Sequence, residues 1–537
     1  ARPARLGSCR PKQTDDTEDD MMNINELKSI LKKSGVVGAG GAGFPSYGKL
    51  NENADTIILN CAECEPLLKL HRQVLQHYAR EILTAMTAVC EAVGATQAIV
   101  AVKPSYKAAV EAVKACLPDF KLVRIGLLPE VYPAGDEVVT IYEVTGRVVQ
   151  PGKLPISQGV IVYNVETMLN AYRAITAGAG VTHKYITVTG AVKNPVTLRV
   201  PLGVTFGEVL ALAGGPTIQN YTLIGGGPMT GNIVQESGVV TKTSNAILVV
   251  PQDHYIVRKR LADPRISLKR AMSACCQCHN CTSLCPRHLL GHPIDPARFM
   301  RSVSTGTTQN VEPYLGTFFC SACGLCEMFS CFQGLSPRTL IGNVKGQLRR
   351  GGIPLPEVTA GPVSSQRQGR YVLKSRLTAR LGLTQYNAPA PLTEQNYEPK
   401  SVKLLLSQHI GAPAAAVVKM GDRVTAGQAV AEADEAKLGV NIHTPIGGLV
   451  TEVTESYIVV AAERKESYMA TAIGMVEFMT VSSGMRGADT MIKTAEVEVV
   501  ESATVCPGKY IVIISGDLSA VKASVEAAKV QAPEKVI

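Results

Sequence analysis

The sequence predicts a multidomain α/β protein, and three observations predict it. Its 537 residues are several times the roughly 150 of a typical domain, which points to about three or four domains. Strand-length apolar runs alternate with helical patterns through the first third of the chain, the signature of a mostly parallel sheet covered by helices. Nine cysteines fall between Cys275 and Cys331, a density that marks a metal-bearing segment in a reducing compartment.

From Met22, the residues Ile24, Leu27, Ile30 and Leu31 have helical spacing up to Gly35. A glycine-rich loop follows. Then come a strand at 56–59, a long helix over about 70–93, a strand at 97–102, a helix at 106–116 and a strand at 122–127. Together they predict an α/β domain over 22–177. Beyond it, short β pieces at 185–190 and 197–200, a short helix at 206–212 and the turn Gly225-Gly226-Gly227-Pro228 predict a β-grasp module over 178–250. The cysteine segment occupies 258–350, and the Pro-, Gln- and Arg-rich stretch 351–400 reads as a linker. Two similar short-strand halves around Gly421-Asp422 and Gly447-Gly448 predict a flattened β-sandwich of the lipoyl-carrier type over 401–465. The lysine that carriers modify is absent from its turn, so no carrier role is expected.

Composition excludes several classes. Apolar residues are 46% and charged residues 18% of the chain, a globular balance. No stretch approaches the about 18 uninterrupted apolar residues of a membrane helix, so no membrane span is expected. The net charge of +9 has a local source, nine Lys or Arg between Arg258 and Arg301 against Asp263 and Asp295. These cations offset an anionic metal centre or dock an acidic partner, with ordinary solvated surface as the alternative. No aromatic-interleaved basic patch or zinc-finger spacing occurs, so nucleic acid is set aside. Residues 1–21, with the acidic run from Asp15 to Asp20 and no apolar signal core, are expected to be a disordered extension, with Met21 or Met22 as the natural start.

The strongest chemical signal is Cys275-x2-Cys278-x2-Cys281-x3-Cys285-Pro286. Three thiolates so spaced wrap one corner of a [4Fe–4S] cubane. A second run, Cys320-x2-Cys323-x2-Cys326-x4-Cys331, is looser by one residue and ends in Phe332 instead of proline. In two-cluster ferredoxins the fourth cysteine of each run serves the other cluster, which leaves the assignment of Cys285 and Cys331 open here. Zinc is disfavoured, because zinc ribbons use two separated CxxC pairs. Cys276 is expected to be no ligand. The second signal, Gly38-Ala-Gly40-Gly41-Ala-Gly43-Phe44-Pro45, contains G-x-G-x-x-G, yet follows a helix-like segment where a dinucleotide fingerprint follows a strand. Its glycines let backbone N–H groups approach a flavin or phosphate closely, with Lys49 as a nearby cation.

Four motifs in order carry a family resemblance: Gly38–Pro45, Asn60-Cys-Ala-Glu63-Cys-Glu65-Pro66, Tyr132-Pro-Ala-Gly135-Asp136-Glu137 and Asn164-Val-Glu166-Thr167. The series resembles that of the flavin-bearing, NADH-binding subunit of respiratory complex I. Followed by a β-grasp module and two ferredoxin-type runs, it is similar to the C subunit of the Rnf complex and to the cobalamin reductases of propanediol-utilising microcompartments. In the Rnf subunit the sandwich-hybrid domain precedes the flavin domain, whereas here it follows, an order that favours the cobalamin reductases. The resemblance implies a Rossmann-like flavin domain, an SLBB-like β-grasp module, a two-cluster helical segment and a barrel-sandwich hybrid domain.

The resemblance also implies that Gly38, Gly40, Gly41, Gly43 and Lys49 hold FMN, with Asn60 and Asn164 as polar contacts. Phe44 then stacks on the nicotinamide nucleotide, and Glu65 and Glu137 bind ribose hydroxyls or shape the nicotinamide pocket; Glu63, Gly135, Asp136 and Thr167 complete the site. Cys61, Cys64 and Asp136 depart from the complex I pattern. The implied reaction takes a hydride from NADH and passes single electrons through FMN and two [4Fe–4S] clusters to the cobalt of cobalamin, for use by an adenosyltransferase. A ferredoxin-linked module that never meets cobalamin and a shell-bound adaptor are the rival readings.

The tail, with Ala472-Ile-Gly-Met-Val-Glu477, Gly487-Ala-Asp489, Val505-Cys506-Pro-Gly-Lys509 and Gly516-Asp517, resembles a bacterial microcompartment shell domain. Residues 469–537 are expected to be a partial copy, lacking the closing strand and joined near Met469 from an adjacent reading frame. In a similar tandem shell protein the cysteine of a matching loop holds an iron–sulfur cluster, making Cys506 a candidate ligand, with a solitary buried thiol as the alternative. The expected location is cytoplasmic, in a microcompartment, with shell proteins as partners.

Overall fold

A computed structural model describes residues 22–394, 397–463, 472–505 and 508–532. The expectations for residues 1–21, Met469, Cys506 and the final residues lie outside that set. The chain divides into one unit up to Ala462 and a second from Glu463 onward.

The first unit begins with α1 (Ile24–Lys33), started by an Asn23/Glu26 capping box that satisfies the first free N–H groups. The parallel strands β1 (Thr56–Cys61), β2 (Gln97–Val102), β3 (Val123–Leu127) and β5 (Val160–Asn164) lie in the order β3-β2-β1-β5; the two-residue β4 (Val131–Tyr132) is separate. Ile57 to Leu59 are fully buried, as strands covered on both faces require. The helices α2 (Leu70–His77), α3 (Ala79–Val93), α4 (Lys107–Cys116), α5 (Glu137–Thr145) and α6 (Val165–Ala177) cover this sheet. The single helix expected over 70–93 is thus broken. Tyr78 leaves helical geometry, and its hydroxyl is bonded to the Glu394 carboxylate.

Next, β6 (His183–Gly190), β7 (Val196–Pro201), α7 (Phe206–Leu212), β8 (Tyr221–Gly225), β9 (Asn232–Val234) and β10 (Ala246–Pro251) form the β-grasp-like module. The cysteine segment is helical and opens with α8 (Tyr255–Arg260) and α9 (Pro264–Ala274). Farther on, strands 401–405, 457–462, 448–453 and 423–424 face a smaller sheet of 415–416, 429–432 and 442–443. The second unit is a three-stranded antiparallel sheet, Ala472–Phe478, Lys509–Gly516 and Val497–Val505, with helices Val481–Thr494 and Leu518–Gln531.

Residues 351–400 are no free linker. Val372–Leu373 pairs with β4, Leu392–Thr393 pairs with β7, and Leu377, Leu381 and Leu383 are buried. Arg367 forms a buried ion pair with Glu143, and Tyr371 Oη donates to the same carboxylate at 2.8 Å. The polar composition hid a few well-spaced apolar residues that strap the first α/β domain to the cysteine segment. Leu377→Ala is therefore expected to cost about 2–5 kcal/mol in thermal or denaturant unfolding. Val358→Ala, at an exposed position of the same segment, should stay within about 0.5 kcal/mol.

Candidate functional site

All fourteen non-cysteine residues singled out from the sequence line one cavity of about 530 Å³. The parallel sheet places it. Asn60 and Asn164 are register partners at the carboxyl ends of β1 and β5, where open α/β sheets bind ligands. The glycine loop lies between α1 and β1 and folds over this edge, closed by Gly38 N–H donating to Phe44 O at 2.9 Å. Gly41 and Gly43 have φ of +66° and +69°, a region that favours glycine. Ala39 N–H donates to Thr167 Oγ1 at 2.9 Å, tying the loop to α6.

The polar lining is largely engaged with the protein itself. Lys49 Nζ lies 2.9 Å from Glu137 Oε1 and 2.8 Å from Val162 O, which leaves one N–H of the ammonium for a ligand. Asn60 Nδ2 donates to Gly135 O at 3.0 Å, and Asn164 Nδ2 lies 2.9 Å from His71 Nε2, so each amide keeps one N–H. Asn164 Oδ1 and Asp136 Oδ1 also cap α6 and α5, so these motif residues start helices as well as lining the cavity. Burial holds His71 below its usual pKa, consistent with a neutral ring accepting the Asn164 amide.

The two glutamates of the second motif differ. Glu63 accepts from His71 N–H at 2.9 Å and pairs with Arg72 at 3.0 Å. Burial opposes its charge, but Arg72, His71 and Lys374 together hold its pKa below the ordinary carboxylate value. Glu65 accepts from Met229 N–H at 2.8 Å and Thr230 Oγ1 at 2.6 Å, and burial raises its pKa despite those bonds. Its carboxylate is clasped by the β-grasp turn rather than free for a ribose. A Cβ on Gly227 would sit 2.2 Å from that carboxylate, which explains the glycine there. Thr230, Asn245, His71, Tyr132 and Ser321 also line the cavity. They escaped sequence reasoning because they come from four separate segments, although Tyr132 and Ser321 lie inside quoted motifs.

The cysteines form two quartets. One hollow is lined by Cys285, Cys320, Cys323 and Cys326, the other by Cys275, Cys278, Cys281 and Cys331. The fourth cysteine of each run thus lies with the other run. Cys276 also lines the second hollow. Burial, reinforced by neighbouring cysteines, pushes the Cys281 thiol up to about 12; burial pushes Cys285 up to about 12. Such thiols ionise only against cationic metal. Among the described residues no three His, Cys, Asp or Glu converge as a single-ion site. Each quartet surrounds a hollow instead, which fits a multi-iron cluster. Ser321 and Cys323 line both the large cavity and the hollow of the Cys285 quartet, so the two share a wall.

Known families match this arrangement segment by segment: the Nuo51 FMN-binding domain over 31–173, the SLBB domain over 185–232, a 4Fe-4S dicluster domain over 274–336, the RnfC barrel sandwich hybrid domain over 386–473 and the BMC domain over 472–537. The chain is 40% identical over 440 residues to the cobalamin reductase PduS of Salmonella typhimurium, covering 82% of this chain and 97% of that one. It is 40% identical to the cobalamin reductase PduS of Citrobacter freundii over 82% and 98% of the two chains. The C subunit of the Na(+)-translocating ferredoxin:NAD(+) oxidoreductase complex of Acetobacterium woodii is 30% identical over 52% of this chain and 61% of its own. No described helix is long and apolar enough to cross a membrane.

The Glu63–Arg72 pair supports the floor of the cavity. Glu63→Gln is expected to lower stability at pH 7 by about 3–5 kcal/mol, because it leaves a mostly buried guanidinium unpaired. Glu63 has its folded pKa below the unfolded value of 4.5. Its contribution is therefore present above pH 4.5 and lost as pH falls through the folded pKa, so the gap between variant and wild type should close on acidification. Denaturant unfolding at stepped pH checks both.

Proposed function

Given that the chain belongs to the family of cobalamin reductases called PduS, we propose that it is an NADH-dependent oxidoreductase that reduces cobalamin, with FMN in the large cavity and a [4Fe–4S] cluster in each cysteine quartet. The observation that carries this reading is the wall formed by Ser321 and Cys323 between the cavity and the Cys285 quartet. Bound FMN would supply the conversion between the two-electron hydride of NADH and single electrons, and clusters held by the two cysteine quartets would supply one-electron carriers toward the cobalt.

The chain's own residues hold, orient and separate. Backbone N–H groups of the Gly38–Gly43 loop and the spare N–H of Lys49 would hold the flavin and its phosphate. The remaining amide N–H groups of Asn60 and Asn164 reach the flavin from the strand ends. Phe44, on the cavity wall, would stack on the nicotinamide nucleotide, with Glu137 beside it. Glu65, clasped by Met229 and Thr230, shapes the pocket. No side chain need act as nucleophile.

The exchanged pairing puts Cys285 with Cys320, Cys323 and Cys326, and Cys331 with Cys275, Cys278 and Cys281. In the second unit Ile473 and Met475, on one face of the strand Ala472–Phe478, are 72% and 64% exposed, an apolar strip that supports packing among shell proteins. On this reading the protein works in a propanediol-degrading microcompartment and supplies cob(I)alamin to an adenosyltransferase.

Anaerobic addition of NADH to the holoprotein with excess aquacobalamin should change flavin, cluster and corrin absorbance in that order. Bleaching of flavin and clusters with an unchanged corrin spectrum points to another acceptor, and Gly41→Glu should abolish all three changes. A separate prediction concerns pairing. In a chain carrying Cys320→Ser, Cys323→Ser and Cys326→Ser, further loss of Cys331 should remove the remaining ~4 iron atoms, whereas loss of Cys285 should not. Iron analysis and electron paramagnetic resonance read the outcome.

A further inference from the structure

The two quartets differ in access to solvent. Cys285 is buried and its quartet adjoins the large cavity, whereas Cys278 of the other quartet is exposed, with Gln277 and His279 beside it. Phe332, beside Cys331, is 58% exposed, and Ile266 and Met272, on the helix that leads into Cys275, are 59% and 62% exposed. Phe332 lines the hollow itself, and α9, which carries Ile266 and Met272, runs directly into Cys275. The same helix turns Arg265, Lys269 and Arg270 to solvent. Of these three, Arg265 is paired with Asp263, the cap of α9, while Asp295 caps the helix Pro296–Thr305, which leaves Lys269 and Arg270 as the uncompensated charges nearest Cys275.

From this we infer that the α9–Phe332 surface is the electron exit, a docking site for an acidic protein that brings a one-electron acceptor to the outer quartet. An exposed face that interleaves cations with apolar side chains is what a transient, electrostatically steered encounter needs. Its charge selects an acidic partner over a basic one. The inference rests on the cluster assignment above. Each transfer moves one electron from the outer cluster to the acceptor with no bond made or broken, and the two electrons of one NADH serve two acceptors.

The test has a binding readout and a transfer readout, using the full holoprotein and two small redox proteins of opposite charge: acidic plastocyanin and basic cytochrome c. Redox-inert zinc-substituted plastocyanin should bind the chain with a Kd that weakens at least tenfold between low and physiological salt. Arg265→Glu/Lys269→Glu/Arg270→Glu should weaken that binding tenfold or more. An equal charge change at the distant, exposed Lys107, Lys114 and Lys121 should alter it less than threefold. Transfer from dithionite-reduced holoprotein to copper plastocyanin, followed by stopped flow, should fall in parallel, while NADH reduction of a small uncharged quinone stays within twofold.

Equal effects of the two triple variants, or tighter binding of cytochrome c, overturn the inference. Binding that appears only after the acids between Asp15 and Asp20 are neutralised also overturns it, and assigns the surface to the chain's own acidic segment. Because dithionite bypasses NADH, a failure of NADH to reduce the centres counts against the proposed function and leaves this transfer measurement readable.

Discussion

The arrangement depends on one ion pair between two motifs that are far apart in the chain. Arg287, two residues after Cys285, reaches Asp136 at 2.9 Å, and both side chains are largely buried. Beside it Tyr132 donates to Cys323 O at 2.5 Å. A buried pair of this kind adds little net stability over an apolar contact, yet losing one partner costs about 3–5 kcal/mol because the other charge is stranded. Its role is register. It fixes the cysteine segment against the carboxyl edge of the parallel sheet, so that the large cavity and the inner quartet share a wall. Electron transfer needs that closeness, and the hydrophobic core alone, being non-directional, does not enforce it.

The β-grasp turn is the second fastening. Its Met229 and Thr230 clasp Glu65, while Arg338 donates to Met229 O and Arg260 to Pro228 O and Gly231 O. Three domains thus meet at seven residues, four of whose side chains, Glu65, Thr230, Arg260 and Arg338, are held by these bonds. Arg260 is held down at about 10 by burial, with Arg338 adding to the effect. Two guanidiniums around one turn are tolerable because the buried Glu65 carboxylate and the turn carbonyls face them.

The parts of the fold that follow from local periodicity were legible in the sequence. The strand at 97–102 and the helix at 206–212 have the expected bounds, because each is set by a short run of apolar residues between turn signals. The break at Tyr78 and the strap at 372–383 were not, since both are decided by partners about 200 to 300 residues away: Glu394 for the first, β4 and Glu143 for the second. The same division holds at the site. Spacing identified the cysteines, and motif order identified the glycine loop. Thr230, Asn245 and Ser321 come into the cavity only through domain packing, which no local pattern encodes. The commitment of Glu65 to the β-grasp turn was equally invisible, because the glycine that permits it, Gly227, lies more than 160 residues away in sequence.

The exchange of Cys285 and Cys331 gives the two quartets unlike surroundings despite near-identical spacing. Cys285 carries the first run into the interior, where Cys320 accepts from Ala322 N–H at 3.3 Å and Lys345 donates to Cys320 O at 3.0 Å. Cys331 carries the second run outward, beside exposed Phe332 and Gln333. Reduction makes a thiolate-bound cluster more negative, so solvent and nearby cations stabilise the reduced form and raise its potential. The inner quartet has Arg287 and Arg338 on the wall of its hollow and Lys345 on Cys320 O, and sits against the cavity, while the outer quartet has no Lys or Arg on its wall and meets solvent at Cys278. The two stabilising influences are thus divided, cations at the inner quartet and solvent at the outer.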